Sequence, residues 1–426
     1  MADETIKIES WDSMLQYWVW LTTKQGLSYR AQQLVAGHFG SMESAYLADA
    51  SEYGLIDGLS KKEIELLEQK DLSQAERILT ACTNKEIHLL TFQDAAYPER
   101  LRYIPNPPMV LYYTGTLPSF DTEPVIAIVG TRDASAYGLF CSKRLGYQIA
   151  SSGGMVVSGL AKGIDTMAIQ GALLAGKSVV GVMGCGVDVV YPKSNQALLI
   201  DVKNNGCLIS EYPPGTPPLS SHFPVRNRIL SGLSVGVVVV EAAVKSGALI
   251  TANHALEQGR DVYAVPANIG VASSAGSNQL IKNGAGLIED GWDVMREYVH
   301  LFPGKVTQTT AKDAHGQGRS LLDLNNVPPL PKVASPILIP TPADKLNVDK
   351  ENSRDYIDLH KIMADLTDDE KNIVTALRAN DLYVDDLIEL CQIPAPRALA
   401  ALTLLEVKGY VKRLPAKRFS LCLNQS

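Results

Sequence analysis

The sequence predicts an α/β protein: a doubly wound parallel sheet with a small helical domain ahead of it and a winged helix behind it. Three observations carry that expectation. Between about residues 89 and 300, short Val/Ile-rich runs alternate with helix-length segments, the pattern of parallel strands covered on both faces. Loops of small residues follow several of those runs. On either side the alternation gives way to helical periodicity, and a proline-rich stretch separates the tail.

Composition sets the outer bounds. A chain of 426 residues has room for two or three domains. Apolar residues make up 46% and charged residues 20%, an ordinary globular balance. No run approaches the roughly 18 apolar residues of a membrane span. The opening MADETIKIES has an acidic start instead of the basic start of a secretory signal, so a cytoplasmic protein is expected. The six cysteines (Cys82, Cys141, Cys185, Cys207, Cys391, Cys422) never form a C-x-x-C pair. Neither a disulfide framework nor a metal site is therefore expected. A net charge of -7 is unlike that of a broadly basic nucleic-acid binder. Any site for a polyanion must be a local groove lined with its own cations.

Residues 1–88 read as a helical domain. Residues 14–23 are apolar and aromatic, and 28–39 carry helical periodicity behind Ser28 as N-cap. A turn bearing Gly54 and Gly58 leads into a charged amphipathic helix at 61–70. Such a turn resembles a helix-hairpin-helix or SAM-like module, whose helix-start amides can grip phosphate. A purely structural packing domain fits the same pattern.

Residues 89–302 read as an extended Rossmann-like domain. Strands are expected at 125–129, 155–158, 178–183, 207–211, 235–241 and 261–265, with helices at 137–151 and 164–175. Apolar pieces at 87–92 and 109–113 extend the sheet. Residues 303–359 lose periodicity and contain Pro328, Pro329, Pro331, Pro336, Pro340 and Pro342, as an interdomain linker does. Residues 360–426 are compact again: helices at 368–377, 384–391 and 394–408, then a hairpin at 410–414 and 418–423, a winged helix. There Arg397, Lys408, Lys412, Arg413, Lys417 and Arg418 outweigh Glu406. That bias suits DNA or an acidic partner, and a protein contact fits the fold equally.

The chemistry lies in the loops after the strands, which right-handed crossovers gather on one sheet edge. In Val129-Gly130-Thr131-Arg132, a small-residue turn exposes backbone amides, and Arg132 adds a forked donor suited to phosphate. In Ser158-Gly159-Leu160-Ala161-Lys162-Gly163, Gly159 and Gly163 let a ligand approach closely, with Lys162 on the same edge. The loop from Gly184 to Asn195 offers Tyr191 as a flat face for a base and Lys193 as a charge for a phosphate. The stretch His222-Phe223-Pro224-Val225-Arg226-Asn227-Arg228 places two arginines around an asparagine, just before an expected helix. After Glu241, Ser246 and Gly247 form a further anion nest. Solvated turns and packed aromatics account for any one of these loops taken singly.

Enzymatic signatures are missing from the sequence. Its seven histidines form no H-E-x-x-H pair, and neither G-x-S-x-G nor a Walker lysine loop is present. Helix caps or arginine partners account for Asp165, Asp188, Glu211 and Glu241. No cofactor is expected.

Taken in order, VGTR, SGLAKGID, GCGVDVVYPKSN, SEYPPG, HFPVRNRILSGLS, VVVVEAAVKSGALITANHALEQGRDVYAVP and SNQLIKNGA resemble the DprA/Smf family of DNA-processing proteins. The resemblance covers nearly all of residues 89 to 300. It implies a non-enzymatic protein that coats single-stranded DNA, dimerises through its Rossmann-like domain and helps load the RecA recombinase during DNA uptake. Carried over by position, Arg132, Lys193, Arg226 and Arg228 would bind phosphates, while Gly159, Gly163, Ser246 and Gly247 would shape the groove. Lys162, Asn195, Phe223 and Asn227 complete the candidate DNA site. Ser220 stands where some relatives have lysine. The other reading is a nucleotide phosphoribohydrolase of the lysine-decarboxylase-like Rossmann group, motivated by Glu241. Against it, the double glycine and threonine of the P-G-G-x-G-T-x-x-E signature are missing here.

Overall fold

Nine strands form one sheet: β1 (His88–Thr91), β2 (Val110–Gly115), β3 (Val125–Val129), β4 (Met155–Ser158), β5 (Val179–Val182), β6 (Gly206–Ser210), β7 (Gly236–Val239), β8 (Asp261–Ala264) and β9 (Gly286–Leu287). Their spatial order is β1-β2-β6-β5-β4-β3-β7-β8-β9. The computed structural model describes residues 5–308 and, with short gaps, 366–421; side chains are described from Met14 onward. From β6 to β9 every pairing is parallel. β2 runs antiparallel to both β1 and β6, so the sheet is parallel except at one margin. The edge strand β1 thus runs with the rest and β2 is the one reversed strand, a mixed sheet of a kind common among doubly wound folds.

β3 shows why the core has two halves. Ile126 and Ile128 pack on one face with Leu145 and Ala168, and Val125, Ala127 and Val129 pack on the other with Ile229 and Leu230. Period-two alternation thus feeds two apolar layers from one strand. Helices Ala136–Ser151 and Ile164–Leu174 cover the first face, and His222–Leu233 and Gly247–Glu257 cover the second. The winding reverses between β3 and β7.

The front helices include Thr5–Thr23, Tyr29–His38 and Ser73–Asn84. Ser28 caps the second through the Ala31 amide, as its position predicts, and Ser60 with Glu63 forms a capping box for Lys61–Leu67. Trp20, Leu21, Tyr53 and Leu67 are buried here, in the same apolar cluster that runs on to Ile126 and Ile128 of the sheet. The described residues to 308 accordingly fall in one compact unit, and the tail falls in a second.

In the tail, β10 (Leu382–Tyr383), β12 (Arg418–Leu421) and β11 (Val411–Leu414) form an antiparallel sheet in that order. Helices Asp368–Ala376 and Val384–Cys391 pack with it around Ile373, Leu387, Leu405 and Phe419. This is the expected winged helix. Arg397 is paired with Asp369 at 2.7 Å. The side chains of Lys408, Lys412, Arg413, Lys417, Arg418 and Glu406, the linker prolines and Cys422 lie outside the described residues.

The five described cysteines are free thiols, with Cys82, Cys185 and Cys207 buried in the core. Among the described residues, no helix is long and apolar enough to cross a membrane.

Candidate nucleic-acid interface

The reversal of winding opens a cleft of about 480 Å³ beyond the carboxyl ends of β3, β4 and β7. Open α/β sheets bind ligands at this switch point. Its walls include Thr131 and Arg132 from the loop after β3, and Ala161 and Asp165 from the segment after β4. Phe223, Arg226 and Asn227 come from the His222–Leu233 helix, and Ser246 and Gly247 from the start of Gly247–Glu257.

Phe223 organises the cationic side. The Arg132 guanidinium lies 5.2 Å from its ring centroid and that of Arg226 lies 6.0 Å away. The Tyr191 ring is 5.2 Å away, tilted by 38°. Two cations and a second ring thus share one aromatic platform. Arg132 is exposed, whereas Arg226 is 3% exposed. Arg226 Nη1 donates to the Val182 carbonyl, and its Nε is buried without a partner among the described residues. Burial pulls its pKa down to about 10.

Asp165 faces this pair at 5% exposure. Burial pushes its carboxyl up to about 6, against the opposing effects of Arg226, the Ala161 and Gly159 amides, and Arg132.

Backbone shape makes the site. At Gly159 a Cβ would lie 2.4 Å from Arg226 Nη1, so glycine is what lets the guanidinium fit. Gly163 has φ +78° and presses on the Thr131 and Arg132 carbonyls, bringing the two loops into contact. Between them Leu160, fully buried, takes φ +55°, an uncommon conformation for a side-chain-bearing residue. Its carbonyl accepts from Asn195 Nδ2 at 3.0 Å, and the same amide donates to Thr166 Oγ1. Ser246 caps the Gly247–Glu257 helix through the Ala248 amide, and Asn227 Nδ2 donates to the Gly247 carbonyl at 3.2 Å. A helix N-terminus therefore opens onto the cleft.

The structure brings Arg132, Phe223, Arg226, Asn227, Ser246 and Gly247 to the cleft, with Gly159 and Gly163 shaping its floor. Lys162 and Lys193 are exposed beyond its walls. Asn195 is buried and its amide works inward on the loop after β4.

Arg228 sits apart. Two of its nitrogens grip both oxygens of Glu211 at 2.7 Å, Nε donates to the Asn106 carbonyl, and the guanidinium lies 4.7 Å from the Tyr29 ring centroid. Tyr29 also donates to Glu211 at 3.1 Å. The geometry makes Arg228 a clamp between the front helices and the sheet and leaves no prong for a phosphate. The reason is helical phase. The HFPVRNR stretch lies inside the helix, not before it, so residues two apart point to nearly opposite sides.

Glu241 is 2% exposed. Its Oε2 accepts from the Ser135 amide and hydroxyl, at 3.0 and 2.7 Å, behind the loop after β3. Thr131, Ser220 and Thr251 also line the cleft but are not among the candidate site residues, although Thr131 and Thr251 fall within the quoted motifs. Their places in the VGTR turn, before the His222–Leu233 helix and in the first turns of Gly247–Glu257 are the signal that points to them.

Fold and site together define a doubly wound α/β protein with a cation-flanked aromatic cleft at its switch point and a winged helix behind. Residues 88–299 match the family described as DNA recombination-mediator protein A, and residues 362–417 match the DprA winged helix domain. Protein Smf of Synechocystis is 31% identical over 408 residues, spanning 95% of this chain and 98% of that protein. The DNA processing protein DprA of Streptococcus pneumoniae is 43% identical over 205 residues, 48% of this chain and 72% of the relative. An X-ray structure of the pneumococcal protein superposes with a TM-score of 0.58 at 34% identity, covering 66% of this chain and 97% of that one. The chain belongs to the DprA/Smf family.

Proposed function

We propose that this protein binds single-stranded DNA in the switch-point cleft and acts as a recombination mediator, helping to load RecA recombinase on that strand during DNA uptake. One observation carries the reading: Arg132 and Arg226 flank the Phe223 ring, placing cations and a stacking face in one cleft. Single strands are held by this combination, phosphates by charge and bases by aromatic faces. A duplex would hide its base faces in the stack. Arg132 and the amides at Ser246 and Gly247 take phosphates. Lys162 and Lys193 extend the track outside the cleft. The protein works by binding: the buried, hydrogen-bonded Glu241 is poorly placed to serve as a catalytic base of a phosphoribohydrolase.

A second copy of the chain is the natural partner for the far edge of the sheet. Leu256 and Leu287 are exposed around the cleft beside β9, and Val244 and Ile250 around the neighbouring cleft between the Gly247–Glu257 and Ala275–Lys282 helices. Apolar side chains grouped at an open strand edge favour self-association. Leu287→Arg is expected to shift the protein from dimer to monomer in sedimentation.

The test of the main reading is binding of fluorescent oligo-dT over a salt series. Each phosphate neutralised contributes about -0.7 to the slope of log K against log salt on single strands. Arg132→Ala should weaken binding and flatten the slope by about that amount. Affinity and slope equal to wild type would refute the site.

A further inference from the structure

A cleft built for a polyanion has no evident use for a buried carboxylate in its wall, yet Asp165 is there. It starts no helix as N-cap, since Gly163 holds that position, and among the described residues its hydrogen bonds come from the backbone amides of Gly159 and, at a long 3.4 Å, Ala161. Its charged neighbours come from other elements: Arg226 from the His222–Leu233 helix and Arg132 from the loop after β3. Cys185 and Tyr212 act electrostatically on Arg226, and Lys162 is in the adjoining loop. Nearly enclosed, the carboxyl is shielded by protein instead of water, so a phosphate entering between Arg132 and Arg226 meets its charge with little screening.

We infer that Asp165 is a proton-linked governor of the cleft: its carboxyl takes up a proton from solvent as the strand binds, so affinity rises with acidity. This rests on the cleft being the DNA site. Two consequences follow from its position. A polyanion drawn to Arg132 and Arg226 competes for the cations that favour the charged carboxylate. The same polyanion adds like charge beside it. Both favour the neutral acid in the complex, and the burial that already lifts this group toward neutrality leaves only a short distance to go. Binding and protonation are reciprocal, so whatever the strand does to the proton, the proton does to the strand. At physiological pH, where the carboxyl of the free protein is ionised, the cost of protonating it weakens the grip and keeps the bound strand exchangeable, as handing it to another protein requires.

The experiment is oligo-dT binding by the full chain at fixed ionic strength between pH 5.5 and 8.5. Uptake of one proton makes affinity rise by up to about tenfold per unit fall in pH, over the interval between the free and bound pKa. Wild type is expected to show part of that slope. Asp165→Asn is expected to bind several-fold tighter at pH 8 and to lose the slope. His222→Gln, altering the imidazole at the start of the helix that carries Arg226, is expected to retain the wild-type slope. Calorimetry of the wild type in two buffers of different ionisation heat gives the proton count directly, whether or not the Asn variant folds. Equal slopes in wild type and Asp165→Asn, or no proton uptake by the wild type, overturns the inference. Absence of salt-sensitive binding at every pH would instead remove the DNA reading beneath it.

Discussion

Gly159 and Arg226 fit together as hole and peg: the guanidinium occupies the space that any β-carbon at 159 would claim, with Nη1 only 2.4 Å from where that carbon would sit. The neighbour here is a charged group fixed by the Val182 carbonyl, not the loose end of a flexible chain. Gly159→Ala must therefore push Arg226 out of its seat and away from Phe223. Overpacking of this kind costs about 1–3 kcal/mol. The expected result is a fold retained by circular dichroism, a lower melting temperature and weaker oligo-dT binding than wild type. Unchanged affinity would mean that Arg226 does not need this seat.

Arg228 leads to the opposite prediction. Its forked contact with Glu211 is buried on both sides, and removing one partner strands the other charge away from water. Losing one partner of such a pair costs about 3–5 kcal/mol, and replacing both by apolar groups of like size costs far less. Glu211→Ala is expected to lower the denaturant midpoint sharply, and Arg228→Met with Glu211→Leu to recover much of the loss. Folded Arg228→Met should keep the wild-type salt slope for oligo-dT, because this guanidinium faces Tyr29 and not the cleft. A slope flattened like that of Arg132→Ala would put Arg228 back among the phosphate ligands.

These two arginines mark what the sequence can and cannot disclose. The loops after β3, β4 and β7 were legible because apolar runs ending in small residues fix where strands stop, and doubly wound topology gathers those ends. Which way a polar side chain then turns was not legible. Arg226 and Arg228 are the same residue type two positions apart, and only the helical phase assigns one to the cleft and the other to the clamp. The sequence expectation sets this stretch before the helix, whereas the helix begins at His222 and carries Pro224 in its first turn, where proline is tolerated. Asn195, one of the candidate ligands, instead turns its amide inward and holds the left-handed Leu160. The direction of β2 and the existence of the two-residue β9 depend on partners distant in sequence, which no local period encodes.

Stacking and charge should separate experimentally at Phe223. Its ring is the shared face of the cleft, so Phe223→Leu keeps apolar bulk and removes the π surface. Loss of one base–aromatic stack costs about 1–3 kcal/mol. Oligo-dT affinity is expected to fall accordingly while the salt slope stays near wild type, since the number of neutralised phosphates is unchanged. An abasic oligonucleotide should bind both proteins alike. If Phe223→Leu flattens the salt slope as well, the ring acts by positioning the arginines.

Asp165 should also leave a mark on stability without any DNA. Its folded pKa of about 6 lies above the ordinary carboxylate value of 3.8, chiefly through burial. Between those two pH values the native state holds more of this proton than the unfolded state. The contribution of this group to stability is therefore fully present below the unfolded pKa and is lost as pH rises through the folded one. A difference of about two units at about 1.4 kcal/mol each makes the penalty at pH 7 about 3 kcal/mol. Asparagine imitates the shape of the protonated acid and cannot ionise. Asp165→Asn is thus expected to be more stable than wild type at pH 7, and the gap should close as both are titrated down past pH 4. Urea midpoints at pH 4, 5.5 and 7 measure it. A variant less stable than wild type at pH 7 would mean that the ionised carboxylate holds Arg226 in place more strongly than burial opposes it.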